Sequence, residues 1–246
     1  MSELRKLLFR NYYKHIRYTS ERSGPYSISN ITKSSWKRTF HSILSSISEG
    51  GQVLDIGCGV GDFLAWIVDN YPINAIGIDE SEDNIAVLNK EAPNISAYIG
   101  DGLAYLKHSN TLFDCIICRN VLEHIANDDI LLELIRTIKM KLISGGVFIC
   151  EVPNAANLAG NYIRYADLTH CRSFTYSSLY QLLLAGEFDN IAMIQYRPSS
   201  LFGYLRVAME YFLHSILWKL VGLSKEIAFT NTIRIAAYNY QNNKDL

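Results

Sequence analysis

From residue 50 onward, short apolar runs alternate with segments whose apolar residues recur every three or four positions. Gln52–Ile56, Asn74–Ile78, Ile95–Ile99, Phe113–Cys118 and Val147–Val152 read as strands. Between them, Asp62–Asn70, the stretch from Ser81 to Pro93, and Gly102–His108 read as helices, the last short enough to be a turn. Ser81 is a capping residue with Glu82 and Asp83 favourably placed in the first turn. Asn127 or Asp128 caps a longer helix in which Ile130, Leu131, Leu134, Ile135, Ile138 and Leu142 share a face, and Gly145-Gly146 is expected to stop it. Five strand–helix alternations with apolar strands predict a parallel sheet covered on both faces. Right-handed crossovers make it a doubly wound α/β fold.

The C-terminal third has a different rhythm. Thr175–Ala185 is a helix closed by Gly186, and Ile191–Tyr196 and Thr232–Tyr240 are strands. An insertion, roughly Pro198 to Phe229, separates those strands. In it Arg206, Glu210 and His214 share one helical stripe and apolar residues fill the rest. Near the start, Leu4, Leu7, Leu8 and Tyr12 lie on one helical face.

With 246 residues, 49% of them hydrophobic, the chain can bury a sizeable core as one domain. A net charge of −1 gives no global field to recruit nucleic acid. The charge is uneven, however. Residues 1–40 hold nine Lys/Arg against two Glu, a surplus of seven, which suits either a solvated face or a surface for an anionic substrate or membrane. Met1 to Arg10 lacks the apolar core of a secretory signal, and no run of about 18 apolar residues could span a bilayer. With five cysteines, an odd count, a cytoplasmic location is expected, with at most peripheral membrane contact. Cys115 and Cys118 form a CxxC inside a strand. Their odd separation puts the sulfurs on opposite faces, against a redox pair or a zinc site.

The chemistry gathers at Asp55-Ile56-Gly57-Cys58-Gly59-Val60-Gly61, between the first strand and the first helix. Glycines there allow a tight turn and close approach of a ligand. Asp79 ends the second strand, eighteen residues after Gly61, and can accept hydrogen bonds from two ribose hydroxyls. Asp101 ends the third. A dinucleotide site would show Gly-x-Gly-x-x-Gly, with a helix start receiving a pyrophosphate. Here position 62 is Asp, which opposes a pyrophosphate but not the ammonium and sulfonium of S-adenosylmethionine (SAM).

Val53–Leu64 resembles the first motif of class I SAM-dependent methyltransferases. Ala75–Glu80, Gly100–Gly102, Phe113–Ile125 and Leu142–Pro153 resemble the later motifs in order. The resemblance implies a Rossmann-like sheet of seven strands with the last antiparallel, built as one domain over 1–246. It would comprise an N-terminal helical segment (1–48), a SAM-binding core (50–155), and a part (156–246) with the substrate-side loop, the insertion and the last two strands. By the same resemblance Asp55, Gly57, Cys58, Gly59 and Gly61 line the methionine portion. Asp79 and Glu80 lie at the ribose, Asp101 and Gly102 at the adenine, and Arg119 near the cofactor carboxyl end.

After the fifth strand, Tyr165–Thr175 contains D-x-T-H-x-R-x-F-T, which resembles methyltransferases of surface-polysaccharide and related sugar biosynthesis. A sugar hydroxyl is a poor nucleophile, and a base removing its proton contributes about 10²–10⁴-fold. His170 is the first candidate, with Asp167 orienting it or accepting a substrate hydroxyl; His124 is the second. Arg164 and Arg172 are candidates to hold an anionic acceptor, or to brace the loop. Asp167, His124 and His170 are too few and too scattered along the chain to assert a metal site. Cys58 and Cys171 read as small fillers. The expected reaction is O-methylation of a sugar or glycan precursor, anionic or lipid-linked. Methylation of a small molecule, quinone or lipid is the alternative, and a non-catalytic SAM-binding scaffold is the reading from another class. The insertion is expected to be a lid or a homodimer contact rather than a membrane anchor, because Glu210 interrupts its apolar surface.

Overall fold

The computed structural model describes residues 7–8, 28–222 and 228–240. Leu7 and Leu8 are helical; Leu4, Tyr12 and the basic residues before Lys33 lie outside the described residues. Helix α1 (Asn30–Leu44) precedes seven strands: β1 (Gln52–Ile56), β2 (Asn74–Asp79), β3 (Ser96–Ile99), β4 (Phe113–Arg119), β5 (Leu142–Pro153), β6 (Asn190–Met193) and β7 (Thr232–Tyr238). The intervening helices are α2 (Asp62–Asn70), α3 (Glu82–Glu91), α4 (Gly102–His108), α5 (Asp128–Lys141), α6 (Gly160–Ala166), α7 (Tyr176–Ala185) and α8 (Leu201–Leu220).

They form one sheet in the order β3-β2-β1-β4-β5-β7-β6. The first five strands are parallel, and β7 runs antiparallel between β5 and β6. This is the doubly wound, mostly parallel sheet that the alternation predicts. Cores lie on both faces: Leu54, Ile116 and Phe148 belong to one, Val53, Cys115 and Ile149 to the other. Cys115 and Cys118 are accordingly buried in different cores, as period-two alternation requires.

Local signals explain most boundaries. The Ser81 hydroxyl accepts from the Asn84 amide, and Asn127 accepts from Asp129 and Ile130. Thr175 and Ser178 form a capping box. One stop signal does not act as expected. Helix α5 ends at Lys141, and Leu142 already pairs with Phe113, so Gly145 and Gly146 lie inside β5. There the Gly145 amide donates to the Asn239 carbonyl at 2.7 Å and Asn239 donates to the Gly146 carbonyl. Tertiary pairing, not glycine, ends the helix. The short helix α6 carries no strong pattern in the sequence, and β6 stops at Met193, short of Tyr196.

Strands leave β1 toward β2 and β3 on one side and toward β4 and β5 on the other. A crevice therefore opens at the carboxyl ends of β1 and β4, where such sheets bind ligands.

Candidate functional site

The glycine loop fills the first half of that crevice. Gly57 has φ +71, and a Cβ there would stand 2.3 Å from Val121 Cγ2, so both backbone and space demand glycine. Gly59 has φ +57, yet a Cβ there would meet nothing, leaving its face open to a ligand. The loop is pinned by Asp79. Its Oδ2 accepts from the Gly59 amide at 2.8 Å, and its Oδ1 accepts from Ser81 and Asn84. Asp79 thus braces the loop and the start of α3 while sitting where the ribose is expected. Glu80 follows it, exposed on the turn. Asp101 caps α4 by accepting from Ala104 at 2.7 Å, and Gly102 packs against Ile56.

Asp55 lies beneath the loop, 3% exposed, and its Oδ1 has no hydrogen-bond partner. Burial raises its pKa to about 7, opposed by Arg119 and reinforced by Asp79 and Glu151. A buried carboxyl with an unmatched oxygen is the feature a cationic ligand would satisfy. The ammonium and sulfonium of SAM fit that requirement and the open face at Gly59. Cys58 is half-buried and burial pushes its thiol well up, so it fills space, as expected, rather than reacting.

Arg119 ends β4 and is held more firmly than its sequence position suggests. It pairs with Glu151, which also pairs with Arg234, and its guanidinium lies 4.1 Å from the Phe63 ring centroid. Burial alone would raise Glu151, but the two arginines outweigh it and hold the carboxyl below its usual range. The next residue, Asn120, has φ +55, a strained conformation for a non-glycine residue, and its amide donates to the Glu151 carbonyl. Glu151, Arg234 and Asn120 escape sequence reasoning. Their roles arise from partners on neighbouring strands.

The second half of the site joins the 3₁₀ turn Leu122–His124 to the loop after α6. The backbone carbonyl of Glu123 accepts from Cys171 at 2.9 Å, which clamps the two segments together. His124 and His170 face each other with ring centroids 4.8 Å apart. Thr169 Oγ1 lies 2.9 Å from His124 Nδ1 and donates to Asp167 Oδ1 at 2.6 Å. Burial works to raise Asp167, but the Thr169 hydroxyl and amide and then His170 hold it below the usual carboxylate range. Asp167 is therefore an acceptor, and the single Thr169 proton goes to it. His124 Nδ1 must then carry its own proton and donate to Thr169, which leaves the lone pair on Nε2.

His170 Nε2 stands 3.8 Å from Asp167 and 3.9 Å from Glu123. Burial pushes its pKa below the ordinary imidazole range, so it is neutral near pH 7. Glu123 is 1% exposed with neither carboxyl oxygen hydrogen-bonded, and burial raises it to about 8. Glu123, His124 and His170 each bring a ligating atom within 4.8 Å of the others. These three, with Glu123 in place of the Asp167 considered from the sequence, could hold a divalent cation.

Arg172 donates to the Ile125 and Ala126 carbonyls and to Asp128, bracing the turn after His124. Arg164 lies beside Tyr165, 5.2 Å from its ring centroid, and close enough to His170 to lower its pKa. Of the two arginines, Arg164 is the one not fixed to the loop backbone by the bonds that hold Arg172.

A family model described as a methyltransferase domain matches residues 30–193. The chain is 31% identical over 127 residues to the ubiquinone biosynthesis O-methyltransferase of Rhizobium johnstonii, covering 48% of each chain. It is 34% identical over 93 residues to the tRNA (carboxymethyluridine(34)-5-O)-methyltransferase of Saccharomyces cerevisiae, covering 38% of this chain and 32% of that one. The matches thus span about a third to a half of the length of these curated relatives. In fold, the chain is similar to a SAM-dependent methyltransferase from Archaeoglobus fulgidus, with TM-score 0.65 at 21% identity, covering 92% of this chain and 99% of that one. It is also similar to the SAM-bound phosphoethanolamine N-methyltransferase 2 of Haemonchus contortus, with TM-score 0.57 at 16% identity, covering 95% and 60%.

Proposed function

Given that this chain belongs to the methyltransferase-domain family, we propose that it is a SAM-dependent enzyme that methylates a hydroxyl oxygen of a sugar or glycan precursor. The observation that carries oxygen as the acceptor atom is the chain Asp167–Thr169–His124. Bound over Gly59 and Asp55, SAM supplies a methyl group already activated by positive sulfur. The protein supplies alignment and a place for the acceptor's proton. His124 takes that proton at Nε2. The imidazolium so formed is stabilised through Thr169 by the Asp167 carboxylate, as a buried acid stabilises a histidine base elsewhere. His170 stands against His124 and is a neutral partner for the acceptor. Arg164, close enough to His170 to lower its pKa, is the residue we assign to an anionic group on it.

A second reading has its own support. Curated relatives are named for methyl transfer to oxygen in ubiquinone biosynthesis, which favours a phenolic hydroxyl on a lipid-like acceptor. Incubation with methyl-labelled SAM and a panel of nucleotide sugars, lipid-linked saccharides and phenols separates the two. Label on a saccharide hydroxyl is expected. Label confined to phenols selects the second reading, and SAM binding without transfer to any of them favours a scaffold.

A further inference from the structure

Helix α8 is inverted for a helix on a water-facing surface. Gly203, Val207, Glu210, His214, Ser215 and Trp218 are its less exposed residues, and all but Ser215 recur every three or four positions along one stripe. His214, 4% exposed, lies in that stripe with the Trp218 and Phe229 rings beside it. The opposite surface is apolar and open: Leu201, Phe202, Leu205, Phe212 and Leu220 are each at least 60% exposed. Folding leaves this surface in water, and monomeric proteins seldom carry a contiguous patch of this kind without a partner. The objection raised by Glu210 falls away, because Glu210 turns inward and pairs with Arg206 at 3.5 Å.

The exposed charges of α8 and α1 have one sign. Arg206 and Lys219 are the exposed charged residues of α8. Helix α1 is tied to the start of α8 by Ser35 donating to the Arg197 carbonyl, Ser199 to the Ile31 carbonyl, and Arg38 to the Tyr204 hydroxyl. It adds exposed Lys33, Lys37 and Arg38 and contains no acidic residue. The apolar exposure continues at the mouth of the site. Phe229, which packs on Tyr211 of α8 at 5.0 Å, is held by Asn157 just before α6, and Tyr162, Tyr165 and Leu168 there are each at least 75% exposed.

We propose that α8, with α1 and α6 beside it, is a docking surface for an anionic lipid bilayer, on which the helix lies flat. An apolar face ringed by cations, with exposed tyrosines at its edge, matches the interior, headgroups and interface of such a membrane. Spanning is excluded for α8, since no helix among the described residues is long and apolar enough to cross. A second copy of the chain is the poorer occupant. Two-fold pairing through α8 would bring its arginine and lysine, and those of α1, toward their own likenesses. Docking in this pose turns the Asp167–His170 loop toward the lipid. That last point rests on the proposed methyl transfer, because it makes a lipid-borne acceptor the natural substrate; the docking itself does not.

The test is co-sedimentation of the full chain with vesicles, without SAM or acceptor, so that its failure leaves the methyl-transfer reading untouched. Binding to phosphatidylglycerol-containing vesicles is expected, weakening about tenfold or more on pure phosphatidylcholine or at raised salt. The Leu205→Glu/Phe212→Glu variant should lose binding while retaining SAM affinity by calorimetry. Lys33→Gln/Lys37→Gln should weaken binding and flatten its salt dependence. Equal absence of binding to both vesicle types overturns the proposal, whatever the variants do. So does a concentration-dependent dimer in analytical ultracentrifugation that Phe212→Glu dissociates.

Discussion

His124 and His170 stand side by side, yet they are held differently. His124 is tied through Thr169 to an ionised Asp167, while His170 is a desolvated neutral ring between two carboxyl groups. We expect His124→Ala to lower kcat about 10²–10⁴-fold with little change in SAM affinity. Thr169→Val should give a smaller loss by freeing the tautomer. Single-turnover kinetics with calorimetry checks this, and a larger loss in His170→Ala than in His124→Ala would return the base role to His170. Asp55 makes a second prediction. Its carboxyl is neutral below about 7 and charged above, so SAM affinity should rise as pH climbs through that value. Asp55→Asn should weaken binding and remove the rise, as read by titration at pH 6 and pH 8. Asp55, Gly57, Asp79 and both histidines were legible because the glycine loop and the D-x-T-H run are local patterns. Thr169 and Glu123 were not. Their meaning depends on a contact across 45 residues and on a burial that no residue pattern announces.

At the scale of elements, the loop after β1 and the turn after β4 are one mechanical unit, since Val121 leaves no room for a side chain at position 57. Gly57→Ala combines a positive φ with a 2.3 Å clash and should cost about 1–3 kcal/mol of stability as well as SAM binding. Val121→Ala in the same chain should recover part of the stability, since it removes the clash but not the backbone strain; thermal melts of the four variants give the coupling. Gly59→Ala has no clash and should weaken SAM binding more than it lowers the melting temperature. The strand–helix alternation was readable from periodicity alone, because parallel strands buried on both faces are continuous apolar runs. The end of α5 was misread. Gly145 and Gly146 look like a stop, but β4 claims Leu142 first. α6 went unseen because Gly160 is its buried residue, so it has no apolar stripe, and Ala159 before it offers no side-chain cap.

For the whole molecule, two buried acids make stability depend on pH in an unusual direction. Asp55 and Glu123 are raised to about 7 and about 8. An acid whose folded pKa is raised contributes stability that is complete below its unfolded pKa and is lost as pH rises through the folded one. The contribution of these two acids should therefore fall from about pH 4 upward and be gone near pH 8, opposite in sign to those of Glu151, Asp167 and His170, whose shifts are downward. Denaturant titrations across that range should show the decline, flattened in Asp55→Asn and in Glu123→Gln, and offset by SAM in the wild type more at pH 8 than at pH 6.

The position of β7 bears on how the chain is made. The last of the described strands is wedged between β5 and β6, and among the described residues β6 pairs with no other strand. Until residues 232–238 have left the ribosome, the edge of β5 stays open, β6 has nowhere to lie, and Glu151 waits for Arg234. This sheet therefore cannot close before residues 232–238 are made, and a truncation ahead of them would release a polypeptide with a bare sheet edge, suited to aggregation and prompt proteolysis.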